Sequence, residues 1–209
     1  EYSNYFGATS AAQVGLVLTA VNNTMTRCNG VYEKDLALHL NLIANTTSVF
    51  YYTASTDPYS AAATGAGGAW NSELQSTLTS VIGDANYDIG HLFGASGGGG
   101  NAGCIGCICV DDTASTTDEN KGSGFTSPGD AIPQGDNFDI DYVAHEMGHQ
   151  FGGNHTFNCT TGSCSGNRNA STAYEPGSGI TIMALYNLNY SQATSIYNSP
   201  WSFRVGFML

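Results

Sequence analysis

The spacing of apolar positions changes along the chain, and each change predicts an element. Val14, Val17, Leu18, Val21 and Met25 recur every three or four residues between 10 and 25, the period of a helix with one buried face. Asn29-Gly30 predicts a break after it. Leu36, Leu38, Leu40 and Leu42 then alternate with Ala37, His39, Asn41 and Ile43, a strand pattern in which His39 is an ordinary strand residue. Val49 to Ala54 reads as a second strand, ended by a turn at Asp57-Pro58. Residues 70 to 82 return to the helical period through Leu74, Leu78 and Val81, and residues 87 to 95 alternate again before the glycines Gly97 to Gly100. After a loop-rich insertion, Val143, Met147 and Phe151 are spaced by four and predict a helix packed on the sheet, with Asp139 or Asp141 near its start as a cap. Helix, two strands, helix, strand, loops, helix is the order of an α/β domain whose helices pack on one twisted sheet.

The last predicted helix carries chemistry on its other face. Residues 145 to 155 have the form HExxHxxGxxH. His145 and His149 are four apart, so on a helix they stand one turn above each other and can hold one face of a zinc ion. Glu146 lies about 100° further round by the 3.6-residue turn, beside such an ion rather than on it, where it can take a proton from water. Gly152 and Gly153 follow the last turn, where a left-handed residue stops a helix and reverses the chain. That reversal returns His155 as a third ligand. Three protein ligands leave a fourth position open, the mark of a catalytic rather than a structural zinc site. Only five histidines occur in the chain, so three of them in this register with a Glu and a Gly is not a compositional accident.

A chain of 209 residues suits one domain, and no apolar run approaches the ~20 residues of a membrane span. Seventeen acidic against five basic side chains give a net charge of -12, which argues against a nucleic-acid partner and for solubility. No signal peptide is visible at Glu1-Tyr2-Ser3, as in a processed mature form. Six cysteines favour disulfides and a secreted location. Cys159 and Cys164 bracket a loop short enough to staple; Cys104, Cys107 and Cys109 read as disulfide partners rather than a metal knuckle, with connectivity open. Asn154-His155-Thr156 matches a glycosylation sequon, but a glycan there would crowd a proposed ligand. Asp111, Asp112, Asp118, Glu119 and Asn120, with Asp130, Asp136 and Asn137, form an acidic loop region; solvated loops are the default reading and calcium the alternative.

With its extended motif and Ser178-Gly179-Ile180-Thr181-Ile182-Met183-Ala184 downstream, the sequence resembles the metzincin zinc metallopeptidases, closest to the bacterial reprolysin-like (adamalysin-like) branch. Arg27 to Leu36, Tyr87 to Gly94 and Tyr174 to Ser178 support it, and the resemblance covers the chain to about residue 190. It implies a single metzincin-like catalytic domain over 1–209, with a subdomain of about 1–152 bearing the sheet and the zinc-site helix and a loop-rich subdomain of 153–209 bearing the Met-turn. It also implies zinc as cofactor, His145, His149 and His155 as ligands, Glu146 as general base, Gly152 as structural support and Met183 as a floor beneath the imidazoles. The implied function is that of a secreted, monomeric endopeptidase, made as a zymogen, that cuts extended protein or peptide substrates pairing with the edge strand at Ile89 to Ala95. His91 on that strand is read as solvent-facing, the cleft being its other possible side. Three positions depart from the family pattern: Thr156 follows the third histidine in place of Asp or Glu, Leu185 stands where some members carry a Tyr ligand with Tyr186 one residue on, and Ser199 to Leu209 does not resemble a closing helix. The competing reading is a catalytically weak secreted adhesion or binding module on the same scaffold, which has no need of Glu146.

Overall fold

A computed structural model describes residues 1–113 and 118–185. The chain divides into two compact units, Glu1–Gly153 and Asn154–Leu209.

Five α-helices occur among the described residues: α1 (Tyr2–Tyr5), α2 (Val14–Leu36), α3 (Ala62–Thr64), α4 (Trp70–Val81) and α5 (His145–Gln150). A π-helical segment, Asn137–Ala144, runs directly into α5. Three strands, β1 (His91–Phe93), β2 (Gly99–Asn101) and β3 (Gly124–Ser127), form one sheet in the order β1-β3-β2. β1 is parallel to β3 and β2 is antiparallel to it, so the sheet is mixed and β3 is central. Trp70 of α4 meets Phe125 of β3 edge-on at 5.2 Å, and Phe93 of β1 meets Phe138 of the π-helical segment at 5.3 Å. Helices packed on a small mixed sheet make the first unit an α/β domain of the metzincin-like kind expected.

Several local expectations give way to tertiary structure. α2 does not stop at Asn29-Gly30 but continues to Leu36, ending at Ala37 with φ 53. A mid-helix Gly costs about 1 kcal/mol, and burial of Val17, Val21, Met25, Cys28 and Tyr32 along one face outweighs it. Asn29 instead spends its amide on Leu40, accepting from Leu40 N at 2.7 Å and donating to Leu40 O at 2.9 Å. With those backbone groups engaged by a side chain, the leucine-rich segment after α2 joins no strand ladder, although Leu38, Leu40 and Leu42 are half-buried and His39 and Asn41 exposed. Leu38, Leu40 and Leu42 face a cavity of about 460 Å³ with Leu74, Leu78 and Leu92. The second expected strand is replaced by a 3₁₀ turn, Thr46–Val49, and an irregular run. The glycine run and the loop-rich insertion, in contrast, contribute β2 and β3.

The described part of the second unit is almost without regular structure. It holds a 3₁₀ turn, Gly162–Cys164, and one bridge between Phe157 and Glu175. Tyr186 and Ser199 to Leu209, which belong to the departures from the family pattern, lie outside the described residues.

Candidate metal centre

The helix that carries the motif is anchored from three sides. Phe138, Val143, Ala144 and Met147 are buried, and Val143 and Met147 are two of the positions whose spacing by four predicts a packed face. Tyr32 of α2 donates its hydroxyl to Ala144 O at 2.6 Å, on the residue before His145, and its ring meets Phe151 edge-on at 5.4 Å. Asp139 is not a cap as expected: it is buried and accepts the Thr24 hydroxyl at 2.7 Å, and burial raises its carboxyl above the ordinary value. At the far end Gly153 N donates to Gly148 O at 2.9 Å and Gly152 N to His149 O at 2.8 Å, with Gly152 at φ 101. This is the paired-bond stop of a helix closed by a left-handed glycine. Gly106 N, in the loop closed by the Cys104–Cys107 disulfide, adds a 3.0 Å bond to His149 O.

On the opposite face the imidazoles of His145 and His149 stand at right angles, centroids 4.7 Å apart, with their Nε2 atoms 3.1 Å from each other. Two nitrogens bound tetrahedrally at 2.0–2.1 Å would be about 3.4 Å apart, so this pair is spaced for one ion. His149 Nδ1–H donates to Gly153 O at 2.6 Å, which leaves Nε2 its lone pair. His155 repeats the device, with Nδ1 against Asn167 O at 2.6 Å and its ring beside Phe157 at 4.9 Å. Burial lowers its pKa and so favours the neutral, ligating form. His145 and His149 belong to the first unit and His155 opens the second. Backbone carbonyls fix the tautomers of His149 and His155, and imidazoles so held are donors that fit zinc.

Glu146 is 8% exposed, and burial pushes its carboxyl up to about 8. β2 passes over it so closely that a Cβ at Gly100 would come 2.4 Å from Glu146 Cγ and 2.6 Å from Oε1. The sequence assigns no role to Gly100; a glycine in a strand where another group approaches is its only signal.

His91 faces inward, which corrects the solvent-facing reading. Its Nδ1 lies 2.7 Å from Gln150 Oε1 and its Nε2 2.9 Å from the Thr126 hydroxyl. Burial pushes its pKa down to about 4. Gln150, buried next to His149, carries no local signal in the sequence that would single it out.

In the second unit Thr156 N donates to Met183 O at 3.1 Å, tying the residue after the third histidine to the Met-turn. Met183 itself is half-buried. The Glu175 carboxylate accepts from Ile180 N at 2.7 Å, Thr181 N at 3.1 Å and the hydroxyls of Thr156 and Thr181. Burial acts to raise its pKa, but these hydrogen bonds prevail and hold it below the ordinary carboxylate value. Glu175 lies in a stretch that supports the family resemblance, but the sequence gives it no role of its own.

The cysteines form Cys104–Cys107 and Cys159–Cys164, as disulfides are expected to form, while Cys28 and Cys109 are free thiols, so Cys109 is not the disulfide partner it is read as. Cys28 is buried beside Asp139 O, away from any partner sulfur. The acidic loop has protein donors: Asp111 pairs with Lys121, Asp112 accepts from Thr79 at 2.7 Å, and Asp118 accepts the Thr113 hydroxyl.

The first unit thus carries a helix-borne imidazole pair beside a buried carboxylate. The chain matches the metallo-peptidase family M12B, reprolysin-like, over residues 1–201, and it belongs to that family. Neither a curated protein nor a solved structure matches it. Membership makes zinc the expected cofactor and proteins or peptides the substrates. No helix among the described residues is long and apolar enough to cross a membrane.

Proposed function

We propose that the protein is a secreted endopeptidase in which His145, His149 and His155 hold zinc and Glu146 is the general base. The observation that carries this reading is the burial of Glu146 one residue from the first of two imidazoles spaced for one ion, beneath a strand edge. When bound, zinc supplies an acidified water and a polarised carbonyl. Glu146 takes the proton as water attacks the scissile carbonyl and delivers it to the departing amine. A neighbouring divalent charge would bring the Glu146 carboxyl down from its metal-free value near 8, toward the ionised form a base requires.

The substrate is proposed to extend along β2. β1 does sit at an edge of the sheet as expected, but β2 is the edge strand above Glu146, with β3 as its one ladder partner among the described residues. An unpaired edge binds an extended peptide through its main chain, leaving selectivity to side-chain pockets. Two disulfides support secretion.

The test compares wild type with Glu146→Gln for zinc content and for digestion of a protein substrate. Activity should fall by roughly 10²–10⁴ while zinc stays bound. Near-full activity of the zinc-loaded variant would remove Glu146 from the mechanism. A zinc-loaded wild type that cleaves nothing would favour the binding-module reading.

A further inference from the structure

We infer that His91 and Gln150 form a positioning pair that holds α5, and with it His145 and His149, at a set place on the sheet. The inference rests on the proposed role of α5 as the zinc-site helix.

Gln150 directly follows the second ligand and is 1% exposed. Its amide is used at both ends: Nε2 donates to Gly90 O at 2.9 Å, and Oε1 faces His91 Nδ1 at 2.7 Å. Because Nε2 is the donor to Gly90, Oε1 must accept, so His91 carries its proton on Nδ1. His91 Nε2 is then the acceptor for the Thr126 hydroxyl at 2.9 Å. The result is one directional chain, Thr126 O–H to His91, His91 N–H to Gln150, Gln150 N–H to Gly90 O. It links β3, β1 and α5, and each member satisfies the next.

Space for the chain is built into the sheet. A Cβ at Gly124 of β3 would come 2.5 Å from Gln150 Oε1 and 2.7 Å from His91 Nδ1. The His91 ring is held further by Phe93, edge-on at 5.8 Å. A leucine at 150 would fill the same volume with no directional bond, so the polar chain is not needed for packing alone. What it adds is a fixed rotation of α5 about its own axis, one residue from a ligand whose lone pair must point at a small target. Neutral His91 is the form this chain requires, and its depressed pKa agrees with that.

The experiment uses the zinc-loaded protein and four variants, His91→Phe, His91→Asn, Gln150→Leu and the double variant of His91→Phe with Gln150→Leu. Asn offers an N–H near the place of Nδ1 and can restore the bond to Gln150; Phe cannot. His91→Phe should weaken zinc binding, read by chelator competition, by about 10-fold, the low end of the span for outer-shell partners of metal ligands. It should lower kcat with KM little changed. His91→Asn should recover most of both losses. Gln150→Leu should match His91→Phe, and the double variant should be no worse than either, as for residues acting as one unit.

Wild-type zinc affinity and kcat in a folded His91→Phe protein would overturn the inference. So would equal losses in His91→Phe and His91→Asn, or losses that add in the double variant. Thermal unfolding of the metal-free forms separates a folding defect from misplacement: Gln150→Leu that unfolds with wild type yet binds zinc weakly supports positioning, and loss of zinc in proportion to stability overturns it. Failure of the parent reading looks different, since wild type itself would then neither hold zinc nor cleave.

Discussion

The proposed ligands on α5 and the proposed ligand beyond it are supported by opposite means. His145 and His149 take their geometry from the helical repeat, and the helix is fixed by buried side chains and by backbone bonds at its glycine stop. Among the described residues around His155 there is no comparable element. The segment from Asn154 to Leu185 holds one bridge and a three-residue turn, closed by the Cys159–Cys164 disulfide. Much of its order is gathered on one carboxylate: Glu175 accepts from two backbone N–H groups and two hydroxyls. A repeat distributes support over many residues, so few of its side chains are individually decisive. A loop concentrates support on one group and is exposed to its loss.

The comparison breaks most visibly if Glu146 is not held by its surroundings. Gly100→Ala places a methyl where Glu146 Cγ and Oε1 now lie, so one of them must shift. Misplacing a catalytic group by about 1 Å costs roughly 10²-fold. We expect that loss in kcat with zinc content unchanged, because the atoms nearest the added methyl all belong to Glu146. Zinc lost together with activity would show that α5 is less rigid than its anchoring implies.

The loop side is sharpened by Glu175→Ala. Leaving hydrogen-bond donors without their partner costs about 1–3 kcal/mol. Hydrogen exchange at the Ile180 and Thr181 amides should accelerate by roughly one to two orders of magnitude, while amides of α5 keep their protection. Acceleration spread equally over both would mean that Glu175 supports the whole chain and not the loop.

The same contrast explains what can be read from the sequence. α4 and the packed face leading into α5 are legible because their residues obey one period over successive turns. The His-Glu-His-Gly-His register is legible because the spacing itself is the chemistry. Residues 36 to 43 keep their alternation but not the strand, because Asn29, eleven residues before Leu40, takes the backbone groups a neighbour would have paired. β2 and β3 escape a reading by pattern because glycine-rich strands carry no apolar alternation. Gly100 and Gly124 matter through the side chains they make room for, Glu146 in one case and the His91–Gln150 pair in the other. His91 and Gln150 are 59 residues apart in the chain, and Glu175 reaches Thr156 across 19, separations that no local pattern encodes.

The last expected effect is a pair of pH signatures, one for each side of the comparison. His91 is pushed from 6.5 to about 4 by burial. Below pH 6.5 the unfolded chain therefore binds a proton that the folded protein refuses, and stability falls as pH drops until about 4. Glu175 is held below its ordinary 4.5, so its contribution is complete above that value and is lost only as pH falls beneath it. Denaturant titrations of the metal-free protein against His91→Asn and Glu175→Gln isolate each group, since contributions from the other histidines cancel in the difference. The His91 difference should decline between pH 6.5 and about 4 by at most about 1.4 kcal/mol per pH unit and then level. The Glu175 difference should stay flat down to about 4.5 and decline below it. A His91 difference that is flat throughout would mean the imidazole is as easily charged in the folded protein as in the unfolded chain, which a ring enclosed between Thr126 and Gln150 does not permit.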